Sequence, residues 1–515
     1  MPGFSSTNAP ATADRPLILA IQLARLGDFL QTTPLLAHLA RRRPHARIAA
    51  MVTPEQAPLA RRCPDLDEVI IIKRNEINAL SGSCPDRRAL AQLDNRLAEL
   101  RPRHIFNLNM SMPSARLAQA WPKAGLTGWR FSAQGDALVG EPWFGFMMNM
   151  VADRRLTRHH LSDLLASFAD PPGPAVGRLR YQVGPRSRER AAQLLPRDGR
   201  PVVALQLGAN NDLRRWPVNR FAALADGLIA AGCAPLLIGA RAEGDLGRRM
   251  KASMAGSHNQ LIDIMGKTDL PTLAAVLEGC ALVVSNDTGT LHLATAVGAP
   301  TLALFMGPAQ AHETGPYGQG HLVLQARDIC GPCQEQTPVC GGAAPCRRLI
   351  APELVLATGL ALATGQSAAQ ACRNVDFGPG VQALEGVIDR FGQRYRPLGP
   401  NKPLGRIEAL ALALREAGRV LIRSTHDFRA AELAAELAAE HLPPSDQARA
   451  DIDALARTAQ TLAWAAADGQ REAALGLLPR APELKPLASL VGGGAPRLAL
   501  ACQAATQSLE ICAAL

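Results

Sequence analysis

The stretch from Ala281 to Phe305, ALVVSNDTGTLHLATAVGAPTLALF, constrains the fold of this chain more than any other. Two apolar runs, ALVVSN and PTLALF, have the length of buried strands, and the intervening TLHLATAVG has helical periodicity. A strand, a helix and a strand in immediate succession are typical of a parallel sheet, because parallel strands need a crossover connection between them. The stretch therefore predicts an α/β fold.

The same alternation occurs on both sides of a segment rich in proline and glycine, from Asp170 to Pro185. The strand-like segments before it are PLILAIQL, ARIAAMVT, DEVIII and HIFNLN, and those after it are PVVALQLG, APLLIG, ALVVSN and PTLALF. We expect two α/β domains, residues 1–175 and 176–358, with a ligand cleft between them. Residues 359–515 show only helical periodicity, so we expect a helical extension in which no strand returns.

The charge balance favours an anionic partner. The 515 residues carry a formal net charge of +10, which suits a nucleotide, an acidic glycolipid or a membrane surface, although an arginine-rich GC-biased genome explains it equally well. Nucleic acid is the weakest candidate, because neither a recognition motif nor an aromatic stacking platform is found. The N-terminus lacks the pattern of a signal peptide and no apolar run is long enough to span a membrane. We expect a cytoplasmic protein, at most peripheral to the inner membrane.

The polar junction SNDTG lies where a buried strand ends and a helix begins. Free backbone N–H groups and the positive end of the helix dipole make such a place suitable for phosphate. Gly289 would let an anion approach the backbone, Thr288 adds a hydroxyl, and His292 lies one turn further along. A purely structural interpretation is equally open, with Asp287 as the N-cap and His292 as a packed core residue.

Three further junctions follow predicted strands. LGANNDLRRWP contains Arg214 and Arg215, whose guanidinium groups suit phosphate oxygens, although a solvated loop explains them as well. GARAEGD contains Glu243, a candidate for binding sugar hydroxyls or a simple helix cap. LARLGDFLQTTP contains Asp28, either an N-cap or a base that accepts a proton from an attacking hydroxyl.

In order and spacing, these four junctions resemble glycosyltransferase family 9, the ADP-heptose:lipopolysaccharide heptosyltransferases, from about Leu17 to Ala357. VVSNDTGTLHLATAVGAPTLALF is similar to the family's strand–helix–strand block, LARLGDFLQTTPLLAHLARRRP to its N-terminal block, and RRWPVNRFAALAD to its second-domain block. The resemblance implies a GT-B fold of two Rossmann-like domains, with the acceptor on the first domain and the donor nucleotide on the second.

The resemblance also implies roles for individual residues. Asp28 matches the general base, and Glu243 matches an acidic residue that contacts the ribose of the donor. The remaining matches are donor-binding residues: Asp287, Thr288, Gly289 and His292, with Arg215 nearby. Arg214 stands where the family commonly has a lysine that stabilises the leaving diphosphate. Gln206 and Leu207 replace the usual His-Pro, so the loop is expected to contact the nucleotide differently.

The expected activity is an inverting transfer of heptose from ADP-heptose to the lipopolysaccharide inner core, with no metal or other cofactor required. Two alternatives stay open. The first is a heptosyltransferase that acts on a protein, such as an autotransporter, or on another glycan. The second is a non-catalytic protein that binds nucleotide sugars. The sequence does not indicate the oligomeric state.

Four cysteines form the pattern C-x2-C-x6-C-x5-C: Cys330, Cys333, Cys340 and Cys346. Four thiolates at such spacing can hold a structural Zn, and related protein-modifying heptosyltransferases hold iron with cysteines near this place, so Zn or Fe is a candidate here. A reduced loop without metal is the alternative. The helical extension has no counterpart in the family core. We favour a packing role for it over a docking surface for the acceptor or the membrane.

Overall fold

The computed structural model describes most of the chain. The described residues are 15–82, 86–131, 137–139, 151–169, 177–256, 258–327, 330, 333, 338, 340–389, 392–399, 402–403, 406–423, 433–434, 437–438, 441–467 and 495–514. The predicted linker from Asp170 to Pro185 is therefore described only from residue 177 onward.

The first domain is a six-stranded sheet between helices. Its strands are β1 (Leu17–Gln22), β2 (Arg47–Val52), β3 (Glu68–Ile71), β4 (Pro102–Asn107), β5 (Gly125–Phe131) and β6 (Ala137–Val139). Their order is β3-β2-β1-β4-β5-β6, and only β6 is antiparallel to its neighbour. In the central register, Ala20 of β1 pairs with Ala50 on one side and Phe106 on the other. Every residue of β1 is buried, as expected for a strand covered on both faces.

The helices of this domain connect and cover the strands. They are α1 (Leu26–Arg42), α2 (Ala57–Ala60), α3 (Arg74–Ser81), α4 (Arg87–Leu97), α5 (Met112–Ala118) and α6 (Leu161–Ala166). Helix α1 begins four residues after β1 ends, which places its N-terminus at the carboxyl edge of the sheet. The four strands and the first helix predicted for the first half of the chain are confirmed, whereas β5 and β6 were not predicted.

The second domain repeats this order. Its strands are β7 (Val202–Gln206), β8 (Ala234–Ile238), β9 (Ile262–Asp263), β10 (Leu282–Asn286), β11 (Thr301–Phe305), β12 (Leu322–Ala326), β13 (Val381–Asp389) and β14 (Gly392–Leu398). Its helices are α7 (Pro185–Leu194), α8 (Val218–Ala230), α9 (Gly244–Ser253), α10 (Leu270–Glu278), α11 (Gly289–Ala296), α12 (Ala311–Thr314), α13 (Pro352–Ala363) and α14 (Ala368–Cys372). The order β9-β8-β7-β10-β11-β12 is parallel throughout, and β13 and β14 extend the sheet antiparallel.

These last two strands correct one expectation. We expected no strand beyond Gly359, yet β13 pairs along β12 and β14 closes the edge of the sheet. Their sequences, VQALEGVID and GQRYRPL, mix apolar and charged residues because these strands are only partly covered. Neither has the continuous apolar run by which the other strands were recognised. Helix α13 also crosses the predicted limit at residue 358 and packs on α8, where Leu356 lies against Gly227.

Helices dominate the rest of the C-terminal region, as predicted. A two-residue strand pair, β15 (Lys402–Pro403) with β16 (His441–Leu442), accompanies α15 (Arg406–Arg423), α16 (Asp446–Ala467) and α17 (Ala495–Ala514). Helix α15 lies against the turn Val151–Leu156, and Arg158 Nη2 donates to Glu408 Oε2 at 2.7 Å. In the part of the chain that is described, no helix has both the length and the hydropathy needed to cross a membrane.

Candidate active site

The candidate site is a cavity of about 740 Å³ between the two sheets. In each sheet the strand order reverses beside the first strand, between β1 and β4 and between β7 and β10. Ligands of open α/β sheets bind at such reversals, outside the carboxyl ends of the strands. Both domains line the cavity, the first through the start of α1 and the second through the ends of β7, β8 and β10.

The N-termini of α1 and α11 meet across this cavity. A Cβ atom added to Gly289 would lie 3.3 Å from the backbone nitrogen of Gly27. One added to Gly27 would lie only 2.7 Å from Cδ2 of His292. The two glycines therefore allow both helices to begin at the same place. Because each helix N-terminus carries partial positive charge, their convergence favours an anionic group.

Asp28 lies in the first turn of α1 and lines the cavity. It is not the N-cap residue, which is Arg25; instead, Asp28 Oδ2 accepts a hydrogen bond from the backbone N–H of Arg25 at 2.9 Å. Burial raises the pKa of Asp28, against the opposing effects of this bond and the charge of Arg25. Nearby Asp287 raises it further and Arg214 lowers it. Asp28 is thus both a helix-end acceptor and a carboxylate facing the cavity.

Asp287 and Arg214 form a buried ion pair on the opposite wall. Arg214 Nη1 donates to Asp287 Oδ2 at 2.7 Å, and their side chains are 12% and 5% exposed. The alternative of Asp287 as N-cap is wrong, because Thr288 occupies that position in α11. The hydroxyl of Thr288 lies 3.2 Å from that of Ser285, at the rim of the cavity. The predicted residues of both junctions therefore come together.

His292 combines features of both interpretations considered for it. It is buried like a core residue, and burial lowers its pKa to about 4, so its ring is neutral at ordinary pH. It also lines the cavity, and its Nδ1 has no hydrogen-bond partner among the residues that the structure describes. A neutral imidazole here can donate or accept a hydrogen bond but brings no charge.

Glu243 and Gln206 form a polar group beside Gly208. Glu243 Oε2 accepts from the backbone N–H of Ala240 at 2.8 Å and from Nε2 of Gln206 at 3.4 Å. A Cβ atom at Gly208 would fall 1.5 Å from Glu243 Oε1, so only glycine leaves room for this carboxylate. Gln206, which departs from the family pattern, therefore belongs to the cavity wall and holds Glu243.

Comparison with known proteins identifies the family. The sequence model described as glycosyltransferase family 9 (heptosyltransferase) matches residues 92–343. This part of the chain belongs to glycosyltransferase family 9. Lipopolysaccharide heptosyltransferase 2 of Escherichia coli strain K12 is 26% identical over 317 residues, which are 60% of this chain and 87% of that protein. Lipooligosaccharide heptosyltransferase 2 of Haemophilus influenzae is 32% identical over 128 residues, which cover 24% and 37% of the two chains.

Solved structures of family 9 share the fold. A family 9 glycosyltransferase from Veillonella parvula DSM 2008 matches with a TM-score of 0.56 and 22% identity, covering 68% of this chain and 98% of that one. The E. coli ADP-heptose lps heptosyltransferase II matches with a TM-score of 0.52 and 24% identity, covering 67% and 98%. The fold is GT-B with an added C-terminal helical region, and this family 9 chain is a heptosyltransferase-type glycosyltransferase.

Arg215 does not join the family 9 site. It is paired with Asp212, and its Nη2 donates to the carbonyl oxygen of Ala209 at 2.9 Å. Its side chain is not part of the cavity wall. Arg214 is the last residue of the short 3-10 turn Asp212–Arg214, and Arg215 follows it. The two side chains therefore project in different directions. The prediction that Arg215 binds the donor is therefore not supported by its position.

Asn286 is a residue of this site that sequence reasoning missed. Its Nδ2 donates to the carbonyl oxygens of Leu207 and Gly208 at 2.9 and 3.1 Å, and its Oδ1 accepts from Trp216 N–H at 2.9 Å. It is completely buried and fixes both ends of the loop that carries Arg214. A polar amide at the end of an apolar strand was the available signal, since buried amides need partners.

The cysteines of the C-x2-C-x6-C-x5-C pattern are not part of the cavity wall. Cys346 is buried, whereas Cys330, Cys333 and Cys340 are partly exposed. Cys340 Sγ accepts from the backbone N–H of Ala344 at 3.4 Å, and such bonds lower the pKa of this thiol. The described residues include no group of three or more His, Cys, Asp or Glu arranged to hold a metal ion. Structural Zn or Fe stays a prediction.

Proposed function

We propose that this chain transfers heptose from ADP-heptose to an acceptor of the lipopolysaccharide inner core, with inversion and without a metal. The observation that carries the proposal is the position of Asp28, which faces the Asp287–Arg214 pair and the start of α11 across one cavity. The names of the relatives support the sugar and the acceptor, and one of the similar structures is named for ADP-heptose.

Asp28 would act as the base. The acceptor hydroxyl oxygen attacks the anomeric carbon of the heptose, and its proton passes to the Asp28 carboxylate. The bond between that carbon and the diphosphate oxygen breaks, and its electron pair leaves with ADP. In this proposal Asp28 and the acceptor hydroxyl lie on one side of the anomeric carbon, and the diphosphate, held by the second domain, lies on the other side, as inversion requires.

The second domain would stabilise the leaving diphosphate. The start of α11 supplies backbone N–H groups and a positive dipole end, Thr288 a hydroxyl, and His292 a neutral hydrogen-bond donor. Arg214 contributes a charge that Asp287 holds in position. These groups together can do the work of a metal ion, which is the basis for proposing a metal-independent transfer.

The nucleoside of the donor would lie against Glu243. Its carboxylate is fixed by the backbone of Ala240 and by Gln206, and carboxylate oxygens suit a ribose diol. The first domain would then face the acceptor, and a glycolipid would reach it from the cytoplasmic side of the inner membrane.

The test is transfer by the purified chain from ADP-heptose to truncated lipopolysaccharide acceptors that lack heptose or carry one. Product NMR would report the anomeric configuration, and parallel reactions with EDTA would test the metal requirement. Transfer only to a protein acceptor would change the acceptor class. ADP-heptose binding without transfer to any acceptor would support the non-catalytic alternative, and transfer abolished by EDTA would contradict the metal-independent mechanism.

A further inference from the structure

Helix α1 presents a second polar residue to the cavity. Gln31 follows Asp28 by three residues, so the two side chains lie on the same side of the helix. Gln31 lines the cavity although it is only 2% exposed. Its Oε1 has no hydrogen-bond partner in the part of the chain that the structure describes. A buried amide without a partner costs stability, so such groups are uncommon away from functional sites.

The neighbouring polar residues of α1 are satisfied. Thr32 Oγ1 accepts from Gln22 Nε2 at 3.1 Å and donates to the carbonyl oxygen of Asp28 at 2.9 Å. Thr33 Oγ1 donates to the carbonyl oxygen of Leu30 at 2.6 Å and accepts from the backbone N–H of Arg180 at 2.9 Å. Neither of these two side chains lines the cavity. Gln31 differs from them in facing the cavity.

A second unpartnered polar atom lies close by. Gly27 precedes Gln31 by four residues and shares its face of α1. The ring of His292 occupies the space over Gly27, with Cδ2 at 2.7 Å and Nε2 at 3.4 Å from the place of a Cβ atom. His292 Nδ1 also has no partner among the described residues. Each domain therefore contributes to the cavity wall one buried polar side chain that has an unpartnered atom.

We propose that Gln31 binds a hydroxyl group of a sugar substrate and so orients that sugar against Asp28. The amide oxygen accepts the hydroxyl proton as a hydrogen bond, and no proton is transferred. An amide suits this role because it keeps its hydrogen-bonding capacity at every pH at which Asp28 titrates. The hydroxyl belongs either to the heptose of the donor or to the acceptor sugar. This inference rests on the proposed function, since it needs a sugar between Asp28 and α11.

The main test compares Gln31→Met, which keeps the shape of the side chain but removes the amide, with the wild type. Loss of one neutral hydrogen bond should raise the KM of one sugar substrate about 3- to 10-fold. A rise in the KM of ADP-heptose identifies the donor as the partner, and a rise in the KM of the acceptor identifies the acceptor. The Kd of ADP, which has no heptose, should not change in either case.

Two further variants separate binding from folding. Thr32→Val removes a buried polar group of the same helix that does not line the cavity, so it should lower the melting temperature without changing either KM. Gln31→Glu keeps an acceptor oxygen and should restore the KM. The carboxylate that this substitution introduces should move the acidic limb of the pH–rate profile to higher pH, because a negative charge three residues away raises the pKa of Asp28.

The outcomes are distinct. If the wild type and Gln31→Met transfer heptose with the same two KM values, the role of Gln31 is overturned and the proposed function stands. If Thr32→Val raises the same KM as Gln31→Met, the effect is structural and the role is likewise overturned. If the wild-type chain transfers no heptose, the proposed function and this inference both fail.

Discussion

The two sheet domains share one strand order, but their cavity-facing carboxylates have different hydrogen-bond partners. Asp28 of the first domain accepts a backbone hydrogen bond, and burial raises its pKa. Asp287 of the second domain is held by the guanidinium of Arg214 at 2.7 Å. One carboxylate is thus left able to take up a proton, and the other is fixed as part of a charged pair. In the proposed function, proton transfer would therefore belong to the first domain and charge stabilisation to the second.

The largest expected effect comes from removing the carboxylate of the first domain. In Asp28→Asn, the amide oxygen can still accept the hydrogen bond from the backbone N–H of Arg25, but the side chain cannot take up a proton from the acceptor hydroxyl. Since a general base contributes roughly 10²- to 10⁴-fold, kcat should fall by a factor in that range while the Kd of ADP stays unchanged. Steady-state kinetics and calorimetry with ADP would check both quantities.

Glu76→Gln is a control on the first domain, because Glu76 is likewise the third residue of its helix and accepts from the backbone N–H of Lys73 at 2.6 Å, but is not part of the cavity wall. It should leave kcat within about threefold of the wild type. An Asp28→Asn enzyme with normal kcat would remove proton transfer from the first domain and with it the contrast between the two carboxylates.

Substitution in the charged pair of the second domain should instead affect stability and the binding of ADP. Arg214→Ala leaves a buried carboxylate without its cation, so we expect a loss of about 3 kcal/mol in the free energy of unfolding and weaker binding of ADP. Arg214→Lys, which keeps the charge as a point donor, should recover part of both. Chemical denaturation would measure the free energy of unfolding, and calorimetry would measure the binding of ADP.

A double variant sharpens this test. With Asp287→Asn and Arg214→Ala combined, the loss of unfolding free energy should be smaller than the sum of the two single losses, because neither charge is then left alone. Additive losses would mean that the two residues act independently and that the second domain holds its carboxylate by other means.

The fold was more predictable from the sequence than the site. Apolar runs such as Leu17–Gln22 and Leu282–Asn286 identify strands covered on both faces, and chain order then places their carboxyl ends at one edge. The edge strand Gly392–Leu398 carries no such signal, because partial exposure permits charged residues. Partial exposure of an edge strand thus weakens the apolar pattern by which a strand is recognised in the sequence.

Side-chain direction limited the prediction of the site. Arg214 and Arg215 are adjacent and chemically alike, but only the first reaches the cavity. The roles of Asn286 and Gln206 depend on contacts with residues 37 to 80 positions away, Glu243 for Gln206 and the backbone of the β7 loop for Asn286. A polar residue at the end of an apolar strand indicates that a partner is needed, but the sequence does not say which distant residue supplies it.

The contact between the two domains gives a third prediction. Gly27→Ala adds a methyl group that would meet the His292 ring at 2.7 Å, so either the ring turns or α1 and α11 separate. We expect a stability cost of about 1–3 kcal/mol and a lower kcat, because both helix starts move away from the reacting groups. Gly359→Ala, in helix α13, where the nearest atom to an added Cβ is 3.5 Å away, is the control for adding a methyl group to a helix and should leave kcat unchanged. A fully active Gly27→Ala enzyme would show that the two helix starts need not meet.

The smallest effect tests the raised pKa of Asp28 itself. A folded-state pKa above the unfolded value means that the folded chain binds the proton more tightly, so stability falls as pH rises through the raised pKa and the loss is complete above it. Asp28→Asn carries no such penalty. It should therefore melt about 2 °C above the wild type at neutral pH, and the gap should close as the pH falls towards the ordinary range of aspartate. Asp163, whose pKa burial raises to about 6, gives the same trend in both proteins and cancels in the difference. If Asp28→Asn melts below the wild type at neutral pH, the ionised carboxylate stabilises the fold, and the first domain holds its carboxylate as firmly as the second.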